Sequence, residues 1–204
     1  MTIRVEKAPL RRVLRVAQWV LGVGAVVMLG FGALLWTDGW YFQNAERHRF
    51  EAILQQRPTM VATTRPPVAP VALGGLVGRI EIPRLGVSVM VSEGVDLRTL
   101  RRAAGHIPGT ALPGQSGNVA ISAHRDTFFR PLRNVRKDDV VTLATPVGDY
   151  EYRVVSTKIT TPSDISVLES DGSEILTLVT CYPFYFVGSA PERFVVRAVR
   201  VSQR

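Results

Sequence analysis

The strongest constraint on this chain is an apolar stretch near its N-terminus. From Trp19 to Trp36 there is no charged residue, and the run reaches back to Val16 with only Gln18 polar. A helix of about 20 apolar residues crosses the hydrocarbon core of a bilayer. A core helix of a globular domain carries a polar face, and this stretch has none. A cleaved signal peptide has a shorter apolar region and a small-x-small site, which does not follow Trp36. The expectation is therefore an uncleaved transmembrane signal anchor over residues 16–36. Residues 1–15 form a basic tail. Arg4, Lys7, Arg11, Arg12 and Arg15 stand against Glu6 alone, which puts half of the net charge of +8 there. Positive charge ahead of a span keeps that end in the cytoplasm. Trp36, Trp40 and Tyr41 are then expected at the outer interface, with everything beyond residue 40 extracytoplasmic.

Elsewhere no basic stripe interleaved with aromatics stands out, so the positive charge does not point to nucleic acid. Residues 37–77 read as a connector. Its first part, 41–57, suits a short juxtamembrane helix. Pro58, Pro66, Pro67 and Pro70 then favour extended conformation, so 58–74 reads as a semi-rigid spacer holding a folded domain off the bilayer.

The folded part is expected over 78–204, and it reads as short strands. Arg79–Ile82 and Val87–Val91 flank a turn at Pro83–Gly86. Asp96–Ala103 suits one helical segment with Asp96 as its N-cap. The Pro- and Gly-rich stretch 106–117 reads as loop. Asn118–Ala123, Asp139–Leu143, Tyr150–Lys158, Ile175–Thr180 and Arg193–Val201 are further strands. Many short strands with turn signals and little helix indicate an antiparallel barrel or sandwich. Hydrophobic content of 46% and charged content of 21% suit a globular core.

Cys181 is the only cysteine, so no disulfide can form within the chain. A lone thiol in an oxidising compartment is either a buried small hydrophobe or presented for reaction. Cys181 ends an apolar strand, and an aromatic loop follows (YPFYFVGSAP), which is where a scaffold presents reactive groups. A nucleophilic thiolate needs a base or cationic neighbour. His48 lies in the connector and His106 in the Pro/Gly loop. His124 ends the strand NVAISAH, where alternation sets Ala120, Ser122 and His124 on one face. A developing oxyanion needs donors. Arg193 opens the last strand. It meets Cys181 at one sheet end if the two strands are antiparallel neighbours. Arg197 shares its face but lies four residues, or about 13 Å, further along. Asp126 is either a cap for a short helix from Thr127 or a partner for His124.

These residues carry a resemblance. Thr177-Leu178-Val179-Thr180-Cys181 resembles the TLxTC signature of sortases, and Gly117–Asp126 resembles the strand that carries the histidine in that family. Ser189–Ala198 resembles its final strand, with Arg193 in the position of the catalytic arginine. The run Cys181–Gly188 is most similar to class D sortases. Ala123 stands where relatives often have glycine.

The resemblance implies a mainly β fold: an eight-stranded barrel with one or two short helices, behind the single N-terminal span. It also implies acyl transfer by Cys181, His124 and Arg193 from an LPxT-like sorting signal, through a thioacyl-enzyme, to an amine of the cell wall or a pilin. Strand facing offers Ala120, Ser122 and Val179, with Thr180 beside them, as substrate-binding residues. No cofactor is implied. No cluster with metal-ligand spacing is evident, which leaves a dispersed acidic calcium site open. Two other readings stay open: a cysteine peptidase that only hydrolyses, and a non-catalytic anchored binding module.

Overall fold

The computed structural model describes residues 7–56, 70–170, 172–186 and 188–201. The chain divides into two compact units after Trp40. One helix, α1 (Lys7–Gln55), supplies the first unit and enters the second. Over residues 11–34 its side chains are exposed all round, with Trp19 74% and Met28 78% accessible. By length and composition this helix can cross a membrane. Residue 57 and most of the proposed spacer, residues 58–69, lie outside the described residues, as do residues 1–6 of the basic tail.

The second unit is a closed barrel of eight strands: β1 (Leu76–Ile82), β2 (Val87–Glu93), β3 (Ala104–His106), β4 (Asn118–Ser122), β5 (Val140–Thr145), β6 (Gly148–Thr160), β7 (Ile175–Tyr182) and β8 (Glu192–Arg200). Around the barrel they run β1-β2-β3-β4-β7-β8-β6-β5, with β5 closing onto β1. The pairs β2/β3 and β4/β7 are parallel and the others antiparallel. Closure leaves no sheet edge for unwanted pairing.

Alternation along the strands fills the interior. Ile80, Ile82, Val119, Ile121, Leu143, Tyr152, Leu176, Leu178, Val196 and Ala198 are buried in one cluster. On β4, β7 and β8 the residues between these therefore face outward. β6 keeps even-numbered residues inward up to Val154. An irregularity between Val154 and Ser156 then reverses the parity, so Ser156, Lys158 and Thr160 face outward beside Arg197, Val195 and Arg193.

The helical segment falls where its cap predicts. Asp96 accepts from the backbone N–H groups of Arg98 (2.9 Å) and Thr99 (3.1 Å) at the start of α2 (Leu97–Arg102). His106, expected in a loop, ends β3. There Gly105 lies so close to the neighbouring segment that a Cβ would stand 2.2 Å from the Gly94 carbonyl oxygen.

The connector differs most from expectation. From Tyr41 on, α1 does not stand clear of the barrel. Phe50 is fully buried against Met90 and Ala144, with Leu54 and Leu76 packed alongside. Removing that ring from water contributes about 2 kcal/mol. The Gln43 side chain donates to the Arg102 carbonyl (2.7 Å) and accepts from Met90 N–H (3.0 Å). The end of the supposed spacer is docked too: Val71 packs on the core, and Gly74 N–H donates to the Glu93 carbonyl (2.8 Å). Residues 41–55 and 70–75 are thus part of the folded unit.

Candidate active site

Cys181 lies near the end of β7, the middle strand of the trio β4-β7-β8. On one side the antiparallel register sets Cys181 directly opposite Arg193. On the other, the parallel register sets Ser122 opposite Val179, and the ladder continues through Ala123 N–H to the Val179 carbonyl (3.2 Å). Carrying that register on by two residues brings His124 level with Cys181. Neighbouring strands lie about 4.8 Å apart. The cysteine is therefore flanked by an imidazole and a guanidinium, each one strand away, all three on outward-facing positions. Cys181, His124 and Arg193 are half-buried.

Each is held by local structure. Thr180, next to the cysteine, faces the other way. It is buried, and its hydroxyl donates to the Ala123 carbonyl (2.7 Å), which pins β7 to the residue before His124. Arg193 Nη1 donates to the carbonyls of Glu192 (2.9 Å) and Ala190 (3.2 Å), which aims the guanidinium along the loop entering β8. Among the described residues Nε and Nη2 form no hydrogen bond.

Ser122 and Val179 lie on the cysteine's face, one rung below it, and are partly exposed. Ala120 lies on that face as well but is wholly buried beneath the 107–112 loop, whose Ile107 N–H donates to its carbonyl (2.8 Å). His48 is exposed on α1. His106 is buried. Its Nδ1 lies 2.6 Å from the Glu93 carboxylate and its Nε2 2.9 Å from the Ala111 carbonyl, which ties the loop after β3 to β2. Asp126 is 70% exposed and meets Arg125 Nε at 3.3 Å. The residues after it form turns, and the first helical turn, Arg130–Asn134, begins later with no side-chain cap. Among the described residues Asp126 makes no bond to His124.

One residue escaped the sequence reading. Arg125, 5% exposed, donates to the carbonyls of Pro183 (2.9 Å), Phe186 and Gly188 (3.1 Å). It clamps the loop after the cysteine to the segment after the histidine. Of the loop's aromatics, Phe184 packs on the core beside Phe194 of β8, with ring centroids 5.3 Å apart. Tyr185 and Phe186 are exposed. No group of His, Cys, Asp and Glu suited to a metal ion forms among the described residues.

Residues 80–201 match the sortase domain family. The chain belongs to the sortase family. Over 126 residues it is 36% identical to sortase D of Bacillus subtilis, covering 61% of this chain and 64% of that relative. Among solved structures, a sortase C from Clostridium perfringens with its C-terminal cell wall sorting motif is 29% identical (TM-score 0.60, covering 65% of this chain and 74% of that one). A Clostridium perfringens sortase D5 transpeptidase shares the fold at 23% identity (TM-score 0.65, covering 81% and 99%). The eight-stranded sortase barrel expected from the motifs is the fold observed.

Proposed function

We propose that this sortase is a membrane-anchored cysteine transpeptidase whose catalytic group is Cys181, His124 and Arg193. The observation that supports the reading is the register of β4, β7 and β8, which sets Arg193 opposite Cys181 and, carried on past Ser122, brings His124 level with it on the other side. The sortase C structure with the C-terminal cell wall sorting motif supports a sorting-motif peptide as substrate, and the LPxT kind follows from the resemblance of the motifs.

In this mechanism the Cys181 thiolate, paired with the imidazolium of His124, attacks the carbonyl carbon of the signal's threonine. Arg193 donates to the oxyanion. The C–N bond breaks as His124 gives its proton to the leaving amine, and a thioester remains. An incoming amine of cell wall or pilin attacks it, His124 takes the proton, and the thiolate departs. The apolar helix before Trp40 supplies the anchor, with the basic tail cytoplasmic and the barrel extracytoplasmic.

The test uses the full chain in detergent with LPxTG- and LPxTA-type peptides and an excess of short amine peptides, read by mass spectrometry. Ligated product that disappears with Cys181→Ala supports the proposal. Cleavage with every amine but no ligation would make the enzyme a peptidase. No product, together with a Cys181 that resists alkylation when folded, would leave a binding module.

A further inference from the structure

Below the cysteine the outward face of β6, β7 and β8 opens into a cavity of about 240 Å³. Ser156 and Lys158 of β6, Thr177 of β7 and Val195 and Arg197 of β8 line it, together with Ser166 and Val167 of the helical turn Ile165–Leu168. Two cations face it, in different states. Lys158 Nζ donates to the Asp164 carboxylate (2.9 Å). That carboxylate also accepts from Ser166 and Thr160, and these bonds, Ser166's foremost, hold it well below the usual carboxylate range. Lys158 is thus neutralised by a firmly ionised partner. Arg197 is half-buried and, among the described residues, forms no hydrogen bond or ion pair. The Thr177 hydroxyl beside it donates to Asn118 Oδ1 (2.8 Å) and does not meet the charge. A guanidinium in a groove without an acceptor is suited to a carboxylate from outside.

The position of the cavity says which part of a substrate reaches it. His124 lies on the β4 side of Cys181, so the leaving amine must face β4. The acyl portion then lies on the opposite side, over β8, and follows that strand toward the cavity. Arg197 pairs with Thr177, four residues before Cys181, or about 13 Å along the strand. An extended peptide with its reacting carbonyl at Cys181 brings the residue four places upstream level with Arg197. For an LPxT-like signal that is the residue just ahead of the leucine.

We propose that Arg197 is a specificity residue that pairs with an acidic side chain at that position. The inference rests on the transpeptidase reading of the same groove. The full chain in detergent is assayed with three LPxTG peptides that carry Glu, Ala or Lys ahead of the leucine. The Glu peptide should show a KM about tenfold below the Lys peptide at similar kcat, and Arg197→Glu should invert that order. The same peptides, fluorescently labelled, are titrated onto the Cys181→Ala chain by anisotropy, so recognition is read without turnover. Equal affinity for Glu and Lys peptides, or a Glu preference that survives Arg197→Glu, overturns the inference and leaves the transpeptidase reading untouched. Selective binding without turnover by the wild-type chain would strike the transpeptidase reading instead.

Discussion

Arg125 Nη1 donates to the Pro183 carbonyl across 2.9 Å, so the residue next to the histidine fastens the loop next to the cysteine. The segments that carry Cys181 and His124 are thereby joined twice: by the β4/β7 ladder below and by a guanidinium above. Arg125→Met should leave the carbonyls of Pro183, Phe186 and Gly188 without that donor. The expected loss is about 1–3 kcal/mol of stability and a fall in kcat, with increased proteolysis within 184–190. Arg125→Lys should restore part of the activity. Unchanged turnover in Arg125→Met, with the fold intact, would show that the clamp does not position the site.

Arg193 and Arg197 share a strand face but are expected to act on different constants. Arg193→Ala should lower kcat by about 10²–10³-fold, the range for losing one oxyanion donor. Arg197→Ala should leave kcat far less affected and raise KM for acidic peptides. Steady-state kinetics on one peptide series decides the assignment, and the reverse ranking in kcat would move the oxyanion role to Arg197.

The docked part of α1 depends on one ring. Phe50→Ala should cost about 3 kcal/mol, since it empties the contact with Met90 and Ala144. Residues 41–56 should then become sensitive to protease while the barrel core resists. Wild-type resistance of that segment in the variant would mean that Gln43 and its two hydrogen bonds suffice.

Acid should weaken the barrel partly through Asp139. Its carboxylate, almost buried, is held below the ordinary carboxylate range by the Arg84 guanidinium, helped by Arg136 N–H (2.8 Å). A depressed folded pKa means that the unfolded chain binds the proton first as pH falls. The stabilisation is therefore present above the unfolded carboxylate pKa, near 4, and disappears as pH drops through the lower folded value. Unfolding midpoints of wild type and Asp139→Asn should differ at about pH 6 and converge toward about pH 2. A constant gap would remove Asp139 from the acid response.

What the sequence disclosed follows the length and regularity of each element. Seven strands announced themselves through alternating or continuous apolar runs. β3 did not, because three residues around Gly105 are too few to show a period. The facing of Arg193 and Cys181 was readable once their strands were taken as neighbours, since only a short loop separates them. The pairing of β4 with β7 is parallel and joins residues 57 apart, so nothing local indicates that His124 comes level with Cys181. Thr180 belonged to a recognisable motif, yet its hydroxyl serves the Ala123 carbonyl on the inward side. Arg125 left no trace, because a guanidinium that serves backbone carbonyls imposes no pattern on the residues it holds. Phe50 was hidden because a single buried ring does not make a helix visibly amphipathic.

In the barrel's cyclic order β1 and β7 lie on opposite sides. The residues from Tyr41 to Gln55 cover the β5-β1-β2 side, and the thiol emerges from the other. Anything that grips the enzyme through that helix, such as a partner, an antibody or a solid support, therefore holds it from behind. The groove stays open to large substrates, and the enzyme can be tethered in a fixed orientation without loss of access.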